Sequence, residues 1–242
     1  MLYWLLYQKL FHSFAPFRIF RYLTFRTAFA SLTALFMALI VGPAVIRHLR
    51  DFQIQQYIRD EGPQAHKKKA GTPTMGGVLI TIAVVIPTFL WADLTNRYVW
   101  MALLSMLTFA SIGFADDYLK IVNRRNLGLT GRRKLAYQIA TSSAIAITLV
   151  ALQQQGMYST RLMVPFIKRV RPDLVISSLL HHAYIWPLAF VPFVVFVALV
   201  IVGSSNAVNL TDGLDGLAIG CTIIAASALT VLTYVSGHAI FA

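Results

Sequence analysis

The sequence predicts an all-α fold, a polytopic transmembrane helix bundle. Of its 242 residues, 57% are hydrophobic and only 12% are charged, whereas soluble domains carry about 25% charged residues. The apolar residues come in long blocks, and a helix needs about 20 residues to cross the hydrocarbon core. No segment alternates between polar and apolar residues as a barrel strand would. These observations exclude a disordered chain, a coiled coil and most soluble enzymes.

Six apolar runs are long enough, or nearly so, to span a bilayer, and we treat 1–242 as a single membrane domain with about six spans in this chain. The predicted spans are 28–46, 76–92, 98–115, 135–152, 183–203 and 217–235. Three prolines, Pro87, Pro187 and Pro192, fall inside these runs. Kinks at such positions are tolerated where neighbouring groups satisfy the freed backbone atoms.

The segment 1–14 is rich in Leu, Tyr, Trp and Phe but lacks the features of a signal peptide. We interpret it as a helix in the membrane interface, with Trp4 and the tyrosines at headgroup depth. A frayed apolar tail is the alternative. The longest break between spans is 153–182, where the runs 160–164 and 174–177 could pair as a short hairpin.

The charges suggest the kind of partner. A net charge of +12 favours anionic membrane lipids or phosphorylated substrates, and no nucleic-acid partner is expected. The loops that alternation places on one face, which we assign as cytoplasmic, hold most of the acidic residues: Asp51, Asp60, Glu61, Asp116, Asp117, Asp212 and Asp215. Acidic and basic residues gathered in the loops of one membrane face indicate a site for a charged, water-soluble substrate.

Residues 71–77 read GTPTMGG and precede the second span. A P-loop would continue after Gly76 with Lys and then Ser or Thr, but Gly77 and Val78 follow, so a nucleoside-triphosphatase is excluded. A helix start beside a run of lysines that ends at Lys69 can bind an anion. Binding of lipid headgroups alone is an equally good interpretation.

Asp116 and Asp117 close the third span, and Lys120 follows them. Adjacent side chains on a helix diverge by about 100°, so the two carboxylates would have different tasks. Lys120 is within helical reach of either one. Carboxylates together with phosphate oxygens suit Mg²⁺, although a charged cap at the bilayer surface would show the same pattern.

Four polar residues recur every three positions in the link between the last two spans: Asn206, Asn209, Asp212 and Asp215. On one straight helix they would drift by about 60° per step. A break in the backbone would bring them together, and Gly203, Gly213 and Gly216 make a break feasible. Because carboxylates are costly inside a membrane, we favour a functional site over a structural link.

Together GTPTMGG (71–77), DDYLK (116–120) and NAVNLTDGLDGLA (206–218) resemble the phospho-N-acetylmuramoyl-pentapeptide-transferase family. That family belongs to the polyprenyl-phosphate hexosamine-1-phosphate transferases. The resemblance implies a Mg²⁺-dependent, multi-pass enzyme of the bacterial inner membrane, with its site facing the cytoplasm. Such enzymes transfer phospho-MurNAc-pentapeptide from UDP-MurNAc-pentapeptide to undecaprenyl phosphate and form lipid I and UMP. The resemblance leaves a homodimer open.

The motifs carry roles over to residues of this sequence. The resemblance implies that Asp116 and Asp117 are the catalytic carboxylates, with Asp117 at the metal. It places Lys69, Lys120 and Lys134 at phosphates. It places Asn206, Asn209, Asp212 and Asp215 at the nucleotide end of the substrate.

The chain departs from the family pattern in one respect. The family has ten spans, a later aspartate that binds the metal and a triple-histidine motif, and this chain has about six spans. We therefore expect the chain alone to be inactive. The alternatives are a related transferase that uses UDP-GlcNAc and a non-catalytic membrane partner.

Overall fold

The computed structural model describes residues 1–51, 75–123, 128–162, 164, 167, 170–181, 184–212 and 216–237. About 80% of the structure is helical, and the residues described contain no strand, which confirms the predicted all-α fold. The six α-helices of the described part are α1 (Leu23–Asp51), α2 (Gly77–Trp91), α3 (Arg97–Val122), α4 (Gly131–Gln154), α5 (Val191–Thr211) and α6 (Leu217–Ser236).

Five helical stretches among the described residues are long and apolar enough to cross a membrane: Leu23–Leu49, Arg97–Val122, Gly131–Gln154, Trp186–Thr211 and Leu217–Ser236. Helix α2 is also apolar but has only 15 residues. These helices overlap the six predicted spans, while the spans themselves remain a prediction. Pro87 lies inside α2, as its position in the second apolar run suggested.

The fifth helix begins later and ends later than the predicted span 183–203. Pro187 stands in the first turn of a short 3-10 helix, Trp186–Phe190, and Pro192 stands in the first turn of α5. Neither proline therefore kinks the middle of a helix. The first turn has no intrahelical acceptor for its N–H groups, so proline fits there without loss. At its other end, α5 continues to Thr211 and therefore includes Asn206 and Asn209.

The chain forms two compact units, Met1–Thr141 and Ser142–Ala242, and their boundary falls within α4. In the first unit, α2 packs against both α1 and α3. Aromatic rings join the ends of α1 and α2, where Phe20 stacks on Trp91 at 5.6 Å and Phe29 lies 5.2 Å from the same indole. The Trp91 Nε1–H donates to Thr33 Oγ1 at 3.0 Å. This cluster fixes α2 beside α1.

The N-terminal segment folds onto the same end of the first unit. Residues Trp4–Lys9 form a turn of π-helix, and the Met1 ammonium donates to the carbonyl of Phe89 at 2.6 Å. The Arg26 guanidinium lies over the Tyr3 ring at 4.0 Å. The segment is thus held by defined contacts, and its proposed depth in the membrane interface stays a prediction.

The second unit has a small core of its own, formed by Val150, Val175, Ala189, Phe190 and Phe193. Among the described residues of the preceding loop, the predicted hairpin is represented by one antiparallel bridge, between Arg161 and Asp173. The Asp173 carboxylate accepts hydrogen bonds from Thr160 Oγ1 and the Val175 amide.

Candidate functional site

The last turns of α3 carry the carboxylates that the sequence singled out. The Lys120 ammonium contacts both of them, at 2.7 Å from Asp116 Oδ2 and 2.9 Å from Asp117 Oδ1. These contacts span four and three residues of one helix, the spacings at which helical side chains meet. The prediction that Lys120 reaches either carboxylate is confirmed, and it reaches both at once. We call Asp116, Asp117 and Lys120 the carboxylate cluster.

A backbone amide holds the second oxygen of Asp116. The Leu129 N–H donates to Asp116 Oδ1 at 2.8 Å, across 13 residues of sequence. The Asp116 side chain is 13% exposed, whereas that of Asp117 is 36% exposed. Asp116 is therefore fixed through both of its oxygens, and Asp117 is the more accessible carboxylate.

Lys134 lies on the other side of the same loop, in the first turn of α4. Its ammonium adds a favourable electrostatic interaction with the Asp116 carboxylate. Lys134 is thus close enough to act electrostatically on Asp116, while its implied contact with a phosphate stays a prediction. Two carboxylates and two ammonium groups nearly balance in charge, which lowers the cost of holding them together away from bulk water.

A cavity of about 430 Å³ lies between α2 and α3 and ends at the carboxylate cluster. Its wall is mainly apolar, with Asp117 as its charged residue. The lining residues are Met75, Gly77, Val78, Ile80, Thr81, Ile82, Leu107, Ala110, Ser111, Gly113, Phe114 and Asp117. Such a cavity suits a ligand with an apolar portion and an ionic head.

The residue that leads into α2 has an unusual backbone. Met75 adopts a left-handed conformation, with a φ of 67°, and its side chain is buried on the cavity wall. Such a conformation costs a non-glycine residue roughly 1–2 kcal/mol. Gly76 occupies the N-cap of α2.

In the second unit, the polar motif continues the helix instead of breaking it at Gly203. Asn206 lies within α5 and donates to the Val202 carbonyl of its own helix at 2.8 Å. Asn209 is exposed within α5, and Asp212 is exposed at its C-cap. The break follows Asp212, and Gly216 has a φ of 81° at the start of α6. Within α5 the motif's side chains therefore spread around the helix by about 60° per step of three residues.

Two of the predicted site residues, Lys69 and Asp215, lie outside the described residues. In the part of the chain that the structure describes, no three His, Cys, Asp or Glu side chains form a metal-binding group. Asp117, by contrast, has Lys120 as its one hydrogen-bond or ion-pair partner among the described residues, and its side chain is 36% exposed. It is the carboxylate of the carboxylate cluster that could bind an added cation.

Sequence reasoning missed the part played by residues 128 and 129. The contact to Asp116 comes from a backbone N–H, and because nearly every residue has one, the residue type gives no signal of this contact. The one available signal was Gly128 itself, a glycine between two helices, where close backbone approach is common.

Comparison with known proteins agrees with the quoted motifs. Residues 99–242 match the glycosyl transferase family 4 model. Residues 69–80 match phospho-N-acetylmuramoyl-pentapeptide-transferase signature 1, which covers the GTPTMGG segment.

Similar curated proteins carry that enzyme's name. A phospho-N-acetylmuramoyl-pentapeptide-transferase of Koribacter versatilis is 69% identical over all of this chain and 64% of its own length. One from Acidobacterium capsulatum is 72% identical with the same coverage, and one from Solibacter usitatus is 56% identical over 99% of this chain and 63% of its own length. This chain spans a little under two thirds of these relatives.

These matches confirm the resemblance drawn from the three motifs. The chain belongs to glycosyl transferase family 4.

Proposed function

We propose that this chain carries the phosphate-transfer centre of a phospho-N-acetylmuramoyl-pentapeptide-transferase. Its substrates would be UDP-MurNAc-pentapeptide and undecaprenyl phosphate, and its products lipid I and UMP. The observation that carries the proposal is the pairing of Asp116 and Asp117 with one Lys120 ammonium at the end of an apolar cavity. The identity of the transferred group, phospho-MurNAc-pentapeptide, is taken from the names of the relatives.

Asp116 has an orienting role in this proposal. Both of its oxygens are engaged, one by Lys120 and one by the Leu129 amide. The attacking lipid phosphate has a second pKa of about 6, so it is already largely dianionic at neutral pH and needs no strong base. A covalent intermediate on Asp116 would require one of its engaged oxygens to be released first. Direct attack by the lipid phosphate is therefore the simpler course.

Asp117 would hold Mg²⁺. Sites for Mg²⁺ in phosphate transfer use one or two carboxylates, with phosphate oxygens and waters completing the shell. The Asp117 carboxylate fits this requirement, because it is the more exposed of the two and borders the cavity. When bound, the ion would neutralise charge on the diphosphate and on the departing UMP.

The lysines would position phosphates around this centre. Lys120 and Lys134 already act on the carboxylates, and Lys69 would add a third cation. Phosphoryl transfer depends mainly on positioning and on neutralisation of charge, which fixed ammonium groups provide. The ammonium of Lys120, held by two carboxylates, needs little rearrangement when substrate binds.

The cavity between α2 and α3 supports a lipid substrate. Its apolar wall leads to Asp117, so isoprene units next to the phosphate would be shielded from water while the phosphate reaches the carboxylate cluster.

The proposal also covers the nucleotide contacts and the location of the enzyme. Asn206, Asn209, Asp212 and Asp215 would contact the nucleotide. The enzyme would lie in the bacterial inner membrane with the site on the cytoplasmic face, and a homodimer remains open. The long apolar helices support a multi-pass membrane protein.

Substitution of Asp117 tests the proposal. The chain in lipid nanodiscs is titrated with labelled UDP-MurNAc-pentapeptide at varied Mg²⁺, comparing wild type with Asp117→Asn. Turnover to lipid I is measured in the Koribacter versatilis relative with the aligned aspartate substituted. We expect a loss of about 100-fold, the typical effect of removing one group that stabilises charge in the transition state.

Asp93→Asn is the matched control, because Asp93 is a carboxylate that binds Thr95 in a separate loop. Equal values for the Asp117 and Asp93 variants would contradict the proposal. Preference for UDP-GlcNAc would favour the related transferase, and failure to bind any uridine nucleotide would favour a non-catalytic partner.

A further inference from the structure

The loop between α3 and α4 makes an unusually close approach to Asp116. A Cβ atom built on Gly128 would overlap the backbone oxygen and Oδ1 of Asp116, and it would lie 2.9 Å from Cγ. The crowding involves backbone as well as side chain, so a shift of the Asp116 side chain alone could not relieve it. Among the glycines that the structure describes, only Gly128 is crowded this closely. Residue 128 therefore has to be glycine for this arrangement to form.

The close approach brings a backbone hydrogen-bond donor to the Asp116 carboxylate. Leu129, the next residue, donates its N–H to Asp116 Oδ1 at 2.8 Å. Because the donor is backbone, its position depends on the backbone of residues 128 and 129 and not on the Leu129 side chain. A side chain at residue 128 would push this segment away from Asp116 and lengthen the bond.

The same segment starts α4. The Thr130 carbonyl accepts from the Lys134 amide at 3.0 Å, which sets Lys134 one turn beyond the loop. The short run 128–130 therefore connects two features of the site, the orientation of Asp116 and the placement of the Lys134 ammonium.

We propose that Gly128 is a positioning residue, which lets the Leu129 amide hold the Asp116 carboxylate in the orientation that Lys120 shares. This inference deepens the proposed function and rests on it for the consequence in phosphate transfer. The positional part stands on the contacts alone. Gly128 acts through Asp116 and touches no substrate.

Amide hydrogen exchange at Leu129 tests the positional part without reference to activity. The full chain in micelles, labelled with [¹⁵N]leucine, is compared as wild type, Gly128→Ala and Asp116→Ala. A hydrogen bond to a charged group is worth about 1.5–3 kcal/mol, so we expect Leu129 to exchange at least about tenfold faster in both variants. Wild-type exchange at Leu129 in Gly128→Ala would overturn the proposal.

Gly131→Ala is the matched control. It adds the same methyl group three residues away, where a Cβ would meet nothing within 4 Å. Its Leu129 exchange should equal that of the wild type. Equal acceleration in Gly131→Ala and Gly128→Ala would show a general loosening of the loop and would also overturn the proposal.

A double-mutant comparison tests the functional part. Mg²⁺-dependent binding of UDP-MurNAc-pentapeptide is measured for Gly128→Ala in the wild-type and Asp116→Ala backgrounds. We expect a loss of about tenfold in the first background and no further loss in the second. Equal losses in both would overturn an effect through Asp116. If the wild type binds no uridine nucleotide, the proposed function fails while the exchange experiment still decides the role of Gly128.

Discussion

Two polar motifs of this chain are organised in different ways. At the end of α3, Asp116 and Asp117 share the Lys120 ammonium, and Asp116 also binds a backbone amide. At the end of α5, Asn209 and Asp212 are exposed, and the Asn206 amide group donates to its own helix. The first motif is cross-linked by charge, whereas in the second Asn209 and Asp212 are exposed to solvent.

Within the proposed function, this difference would suit the two motifs to different parts of the reaction. Groups already fixed in position stabilise developing charge without reorganising, which suits the reacting phosphate. Exposed groups gain their partners only when a ligand arrives and bear an ordering cost then, which suits recognition of a nucleotide. Within the proposed function, the end of α3 would act in transfer and the end of α5 in binding.

The largest loss of turnover in this comparison should come from a substitution in the carboxylate cluster. Lys120→Met removes the ammonium that both carboxylates share, so two adjacent negative charges would repel each other. We expect turnover to fall by about 10–100-fold, the usual range when a partner of a metal-binding carboxylate is lost. The measurement is the initial rate of lipid I formation in the Koribacter versatilis relative, substituted at the aligned lysine.

Lys9→Met in the chain itself serves as the control for loss of one positive charge, since Lys9 lies over the Trp4 ring at 5.2 Å. Mg²⁺-dependent nucleotide binding should drop for Lys120→Met and stay constant for Lys9→Met. An unchanged rate and affinity in Lys120→Met would show that the observed pairing has no part in the reaction.

A smaller effect, on UMP affinity, is expected from a substitution in the polar motif at the end of α5. Asp212→Asn removes an exposed charge at the C-cap of α5, and exposed charge pairs are worth about 0.2–1 kcal/mol. We expect UMP affinity to change by at most about fivefold, as measured by competition against labelled UDP-MurNAc-pentapeptide. Asp173→Asn, in the loop before α5, is the control and should leave affinity constant. A loss as large as that in Lys120→Met would remove the distinction between the two motifs.

The smallest effect concerns a hydrogen bond remote from both motifs. Thr33→Val deprives the Trp91 indole of its acceptor, and hydrogen bonds between membrane helices average about 0.6 kcal/mol. We expect a loss of stability of that order in denaturant titration of mixed micelles, with substrate affinity unchanged. Thr27→Val is the matched control, because its hydroxyl donates to its own helix. Equal stability of the two variants would contradict the prediction.

Much of the fold could be predicted because apolar runs directly determine helices. The contact of Lys120 with both carboxylates was also predictable in part, since spacings of three and four residues are set by the helix itself. Both prolines of the fifth apolar run lie within the apolar helical stretch Trp186–Thr211, but each stands in the first turn of a helical segment, which the sequence alone did not indicate. A proline tolerated inside a long run and a proline that starts a helix have the same local sequence, and packing of the preceding turn decides between them.

The finer features of the site depend on contacts that sequence periodicity does not encode. The Leu129 amide reaches Asp116 across 13 residues of sequence, beside the close approach of Gly128. Gly203 was expected to permit a break, yet α5 passes through it without interruption. One glycine costs a helix only about 1 kcal/mol, and the apolar residues around it are sufficient to continue the helix.

The left-handed backbone of Met75 has a consequence for how the cavity can vary. Only side chains that tolerate a positive φ can occupy this position, and branching at the β-carbon worsens the steric conflict. Valine, isoleucine or threonine would shift the turn before α2 and thereby alter the cavity wall that Met75 shares with Asp117. The shape of this wall is thus governed by a torsion angle as well as by the size of the residues around it.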